Sequence, residues 1–282
     1  MGLIAAIGWL LPFTLRAQQT TAPDRFGATP DSLYRWHVQH AMELLQVDSL
    51  SQAETHLAEA LSLLPSAPGN TLIYRYIAQI QERRGDGPLA VQTLSTAINR
   101  EPASEQLLLD RAALNLRLGR DEHAIQDYSA VLGLDDQNTE ALFNRAYLYK
   151  EKRDYRSART DYENLLRIEP KNMQAMVGLA MTNEADRRPV EAMEQMDVIV
   201  QLFPADPLPW AIRGGMHQHR RQWEAALSDL NQAIELDPDA PDLYVSRATL
   251  FLAMNKRAKA LQDARTAQRL GADAREMAGM FK

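Results

Sequence analysis

The 282-residue sequence contains no cysteine. That absence excludes disulfides, thiolate catalysis, cysteine-ligated zinc and lipid attachment through an N-terminal cysteine. Concentrated positive charge is also missing. The formal net charge is −6, and basic residues cluster only in short pairs such as Arg83-Arg84 and Arg220-Arg221. Neutralising a phosphate backbone needs a basic face, so no nucleic-acid partner is expected. The chain further lacks a phosphate-cradling glycine loop, a nucleophile elbow and a paired metal-ligand motif on a helix. Its carboxylates are spread over turns and outer helix faces. No catalytic residue and no cofactor is therefore assigned, and the expectation is a protein that is not an enzyme.

Long hydrophobic runs are absent as well. The apolar stretch in "MGLIAAIGWLLPFTLRAQQ" extends only from Leu3 to Leu15, short of the roughly 20 residues a spanning helix needs. It suits the apolar region of a secretory signal over residues 1–17, with Ala17 preceding a cleavage point at Gln18. No lysine or arginine precedes the run, which leaves an uncleaved N-terminal anchor as the alternative. Pro12 argues against a buried helix there. The expected location is outside the cytoplasm, in a bacterial periplasm, with membrane contact confined to such an uncleaved segment.

What the chain does have is an ordinary folded composition, 45% hydrophobic and 24% charged, and a repeat. After a polar linker and the start of a first helix, residues 18–33, a breaker column recurs every 34 residues: Pro68, Pro102, Asp136, Pro170, Pro204 and Pro238. Ten residues after each breaker stands a small residue: Ala78, Ala112, Ala146, Ala180, Gly214 and Ala248. A second small column follows twelve further on: Ala90, Ala124, Ala158, Ala192, Ala226 and Ala260. Small residues in both halves let two helices approach closely, and larger columns such as Leu94, Tyr128, Tyr162, Met196 and Leu230 fill the space between. A seventh, divergent unit precedes these, displaced by three residues near Pro65 to Pro68.

These columns resemble the tetratricopeptide repeat family over residues 34–274. The resemblance implies an all-α solenoid, a right-handed superhelix of about seven antiparallel helical hairpins. Units are expected at 34–67, 71–104, 105–138, 139–172, 173–206, 207–240 and 241–274, followed by a short tail. It also implies a concave groove that binds peptides or protein surfaces, walled by the first helix of each unit. The matching positions are Arg75 and Gln79, Leu109 and Ala113, Phe143 and Tyr147, Val177 and Met181, Ala211 and Gly215, and Val245 and Thr249. Family members that clamp the acidic C-termini of heat-shock chaperones place lysine and asparagine there; this chain does not. The lane is mostly apolar, with polar residues such as Lys150 and Glu184 at its edge. The expected function is a non-catalytic scaffold binding a protein or peptide segment. The alternative is an assembly module that associates end-on; Met277, Met280 and Phe281 are expected either to cover the last hairpin or to seek a neighbour.

Two further columns carry charge. Arg145 and Asp161 lie equally far from the turn at Arg153, and the same positions hold Arg111 with Asp127, Arg213 with Asp229, and Arg247 with Asp263. The remaining units have neither residue, as in Ile77 with Thr93, Leu179 with Gln195, and His40 with His56. Arginine and aspartate that come and go together are expected to pair and to clamp the two helices of one hairpin. His37, His40 and His56 gather in the first unit. Three imidazoles suit zinc or copper only with a further ligand, and none is apparent, so they are expected to replace the ion pair with a polar contact rather than to hold a metal.

Overall fold

The computed structural model describes residues 29–273 together with Gly279 and Phe281. The apolar N-terminal run, the cleavage point, the linker before residue 29, and Met277 and Met280 lie outside the described residues. Among the described residues there are fourteen helices and no strand. The first seven are α1 (Pro30–Gln46), α2 (Leu50–Leu63), α3 (Asn70–Arg83), α4 (Gly87–Arg100), α5 (Glu105–Arg117), α6 (Asp121–Leu134) and α7 (Thr139–Glu151). The others are α8 (Tyr155–Ile168), α9 (Met173–Ala185), α10 (Pro189–Leu202), α11 (Pro207–His219), α12 (Trp223–Leu236), α13 (Pro241–Ala253) and α14 (Arg257–Arg269). None of these is long and apolar enough to cross a membrane.

Helix starts follow from local chemistry. Asn138, Asp154, Asn172 and Asp206 each accept a hydrogen bond from an orphan N–H of the first turn they precede. Proline occupies the first turn of α1, α4, α10, α11 and α13, where its missing N–H is harmless. Helix ends within each hairpin are equally regular. Gly85, Gly119, Arg153, Arg187, Arg221 and Asn255 all have positive φ, and the next residue's N–H reaches back to the carbonyl five earlier, as Asp154 does to Tyr149 at 2.8 Å. Arg187 and Arg221, at φ 59° and 57°, adopt this conformation without being glycine.

The chain divides into two compact units, Met1–Leu114 and Asn115–Lys282, with the boundary inside α5. In the first, α1 packs on α2, α2 on α3 and α3 on α4, around Ala41, Ala53, Leu57, Ala60, Ile73, Ile77 and Ile80. In the second, each helix from α6 to α14 packs on the next, and α7 meets α9 as α11 meets α13. The fold is an all-α helical repeat solenoid. The small columns are where helices close on each other. Ala90, Ala124, Ala158, Ala192, Ala226 and Ala260 are wholly buried. A Cβ on Gly214 would stand 3.1 Å from the Leu230 Cγ and 3.3 Å from the Ala226 carbonyl oxygen.

Each clamping arginine does more than close its own hairpin. Arg145 donates through Nε and Nη2 to both Asp161 oxygens at 2.8 Å, and through Nη1 to the Ser129 Oγ of the preceding hairpin at 3.0 Å. Arg213 binds Asp229 in the same fork and reaches Asp197 at 2.9 Å. Arg247 binds Asp263 likewise and reaches Asn231 at 2.7 Å. The partners therefore stand sixteen residues after and sixteen before each arginine, which joins three helices rather than two. Arg111, in the first unit, donates to Ser95 at 2.9 Å, again sixteen back. Asp127 belongs to the second unit, where it is buried and takes a long 3.4 Å bond from Asn115.

Two of the hairpins without the arginine carry a rung between residues twelve apart. Thr93 donates to Gln81 at 2.8 Å, and Asn183 donates to Gln195 at 3.0 Å. This rung is not legible in the sequence, because the paired residue types change from one hairpin to the next. The bound carboxylate holds the Arg145 guanidinium even more firmly protonated than usual. Since Asp161 is almost fully buried, Arg145→Ala leaves an unpaired interior charge and is expected to destabilise the protein by about 3 kcal/mol. Ser129→Ala should cost under about 1 kcal/mol. In a denaturant double-mutant cycle, Arg145→Ala and Asp161→Ala should couple by at least about 1 kcal/mol; simple additivity would contradict the clamp.

Candidate functional site

The groove columns of the second unit lie on the odd-numbered helices, each beside a buried alanine or glycine. On α7, Ala146 is wholly buried while its neighbour Tyr147 is 37% exposed; on α9, Ala180 is wholly buried and Met181 is 38% exposed. One turn earlier, Phe143 and Val177 are half-buried. Phe143 meets the Tyr162 ring edge-on, with centroids 5.9 Å apart, so it belongs partly to the core. Ala211 and Gly215 continue these columns on α11, both half-buried. The lane thus runs from large to small side chains along the chain direction.

Its edge is charged. The Lys150 ammonium sits 5.2 Å from the Tyr147 ring centroid and 2.9 Å from Glu151. Glu184 accepts from Arg220 at 2.6 Å, which ties α9 to the end of α11. Neither residue is an isolated charge awaiting a partner.

The first unit departs from the expected groove. Leu109 is buried, so it serves packing and offers no surface to a ligand. Arg75 is held by both oxygens of Asp110, a contact between α3 and α5 that satisfies its guanidinium internally. Gln79 alone of the three stands exposed. At the other end of the chain, Phe281 packs against Ala248, Phe251 and Ala260, and its carbonyl accepts from Arg257 at 2.8 Å. That aromatic ring covers the last hairpin rather than projecting from it.

The three histidines do come together, and Glu59 joins them. His37 Nδ1 lies 2.9 Å from His56 Nδ1 and 2.9 Å from Glu59 Oε2, while His56 Nδ1 is 3.6 Å from the same oxygen. His40 turns toward Glu43, with 3.3 Å between them, and stacks on Trp36. Glu59 escaped the sequence reading because it follows His56 by one helical turn among several other carboxylates. Burial, together with the charges of His40 and His37, lowers the His56 pKa.

Comparisons with known proteins follow the same lines. Two family models, both described as tetratricopeptide repeat, match residues 179–250 and residues 77–139 and 143–207. The chain belongs to the tetratricopeptide repeat family. No curated protein sequence matches it. A tetratricopeptide repeat protein from Parabacteroides merdae superposes with a TM-score of 0.70 at 22% identity, over 88% of this chain and 97% of that one. The C-terminal part of a repeat protein from Cytophaga hutchinsonii gives 0.62 at 15% identity, covering 87% and 99%. Yeast Tom70 gives 0.58 at 16% identity, over 89% of this chain and 53% of its own length. At such identities the likeness is one of fold. Tetratricopeptide repeat domains bind protein or peptide partners, and the family is generally non-catalytic.

The two adjacent glycines of α11 separate packing from surface. Gly214 is required by its contacts with Leu230 and Ala226, whereas a Cβ on Gly215 meets nothing within 4 Å. A glycine inside a helix costs about 0.5–1 kcal/mol relative to alanine, and no neighbour explains that cost at Gly215. Gly215→Ala is therefore expected to raise the unfolding free energy by about 0.5–1 kcal/mol, and Gly214→Ala to lower it. Chemical denaturation of the two variants checks the contrast. Equal effects at both positions would contradict it.

Proposed function

We propose that this protein is a non-catalytic scaffold that holds an apolar peptide or protein segment against α7, α9 and α11. Tyr147 and Met181 act as anchors, Phe143 and Val177 form the floor, and Lys150 and Glu184 set register at the rim. The observation that carries this reading is the exposure of two large apolar side chains, 34 residues apart, beside columns that are wholly buried. Such surface on successive helices gains by being covered. Gly215 supports it, since a small residue there leaves the lane open where packing does not require one. Lys150 lying over the Tyr147 ring gives the lane a polar edge beside its aromatic anchor. The apolar stretch Leu3 to Leu15 supports a reading in which the chain is exported to the cell envelope and meets its partner there.

The test uses peptides selected from a random displayed library on the full chain. Selected peptides are expected to share an aromatic or branched apolar residue. Tyr147→Ala should weaken them at least about ten-fold, the loss of a typical aromatic anchor, with the melting temperature unchanged. Leu142→Ala is the comparison: Leu142 is 2% exposed, so its truncation should lower stability by about 2–5 kcal/mol. The proposal fails if Tyr147→Ala melts like Leu142→Ala. It also fails if the selected peptides bind unchanged to the double variant Tyr147→Ala, Met181→Ala.

A further inference from the structure

We propose that His37, His56 and Glu59 bind one divalent metal ion of the zinc class, bridging α1 and α2. The donor atoms form a triangle with edges of 2.9, 2.9 and 3.6 Å. The point equidistant from its corners lies about 1.9 Å from each, and zinc bonds imidazole nitrogen and carboxylate oxygen at about 2.0–2.2 Å. An ion just above that plane reaches all three atoms without any movement of the helices. Two imidazoles and a carboxylate leave the fourth tetrahedral position to water.

Each of the three atoms offers an electron pair when unprotonated. A single proton between them serves two donors, whereas a cation serves all three. The supports are rigid: Ala41 on α1 and Ala53, Leu57 and Ala60 on α2 are wholly buried. Trp36 sets its ring edge-on to His37 and His56, at centroid distances of 4.8 and 5.4 Å, and so limits their rotation.

The position in the repeat gives a second, independent reason. His40 and His56 stand sixteen residues apart, in the columns that hold arginine and aspartate in the clamped hairpins. Where Arg145 bonds Asp161 across a hairpin, this hairpin has imidazoles in both columns, His40 and His56. A metal ion on His37, His56 and Glu59 crosslinks α1 to α2 at the same level, and takes over the clamp's task by coordination.

Full-length protein without a histidine tag is titrated with zinc chloride by calorimetry, and with copper(II) while tryptophan fluorescence is followed. One zinc ion per chain is expected, with a dissociation constant of about 10 µM or tighter, and a melting temperature that rises with zinc. His56→Ala should weaken binding at least about ten-fold. Glu59→Gln, at a half-exposed side chain whose loss leaves the core intact, should also weaken it measurably, while His219→Ala should not. Copper should quench the wild type more than Trp36→Phe, because Trp36 touches the site. Absence of saturable zinc binding below about 100 µM overturns the proposal. So does unchanged affinity in Glu59→Gln with its helical circular dichroism retained.

Discussion

The close approach of helices at the alanine columns is the constraint on which the rest of this structure depends. With no side chain beyond Cβ at Ala124, Ala158, Ala192 and Ala226, the facing helix comes near enough for one large residue per hairpin to fill the remaining gap. Tyr128, Tyr162, Met196 and Leu230 do so and are at most 2% exposed. Space elsewhere is shaped to fit them. A Cβ on Gly178 would lie 2.5–2.8 Å from the Tyr162 ring, so that glycine makes room for the tyrosine. Burial in turn raises the pKa of both tyrosines, which remain neutral phenols.

The buried carboxylates Asp161, Asp229 and Asp263 enter this interior with both oxygens bonded. The Tyr128 hydroxyl and the Asn183 Oδ1, by contrast, are buried without a hydrogen-bond partner. The guanidinium clamp donates three bonds, two to acceptors on its own hairpin and one to an acceptor on the hairpin before. The amide rung makes one bond, from Asn183 to Gln195 at 3.0 Å. Either device fixes the height at which two helices meet, since a polar group that slipped by one turn would lose its partner at a cost of about 1–3 kcal/mol or more. Apolar columns alone allow such slips more cheaply.

Residue spacing made much of this visible. A 34-residue period with two small columns reports helical hairpins directly, because only small residues permit that approach, and the Arg and Asp columns could be matched because each keeps one residue type. The rest was hidden for physical reasons. The backward bonds of Arg145, Arg213 and Arg247 end on serine, aspartate and asparagine, so no repeated letter marks them. Leu109 and Phe143 occupy the same repeat column, yet one is buried and the other half-exposed, because burial depends on what packs alongside. Glu59 could be joined to His37 only once the crossing of α1 and α2 was known.

An array of this kind behaves as a linear chain of nearest-neighbour couplings, and its compliance is set by its weakest joint. Because each guanidinium reaches sixteen residues back, it strengthens the joint between consecutive hairpins as well as the hairpin itself. Leu179 occupies that position on α9 and packs against apolar neighbours in place of the three bonds. The helix that presents Met181 is thus held by other ties, from Asn183 to Gln195 and from Arg220 to Glu184.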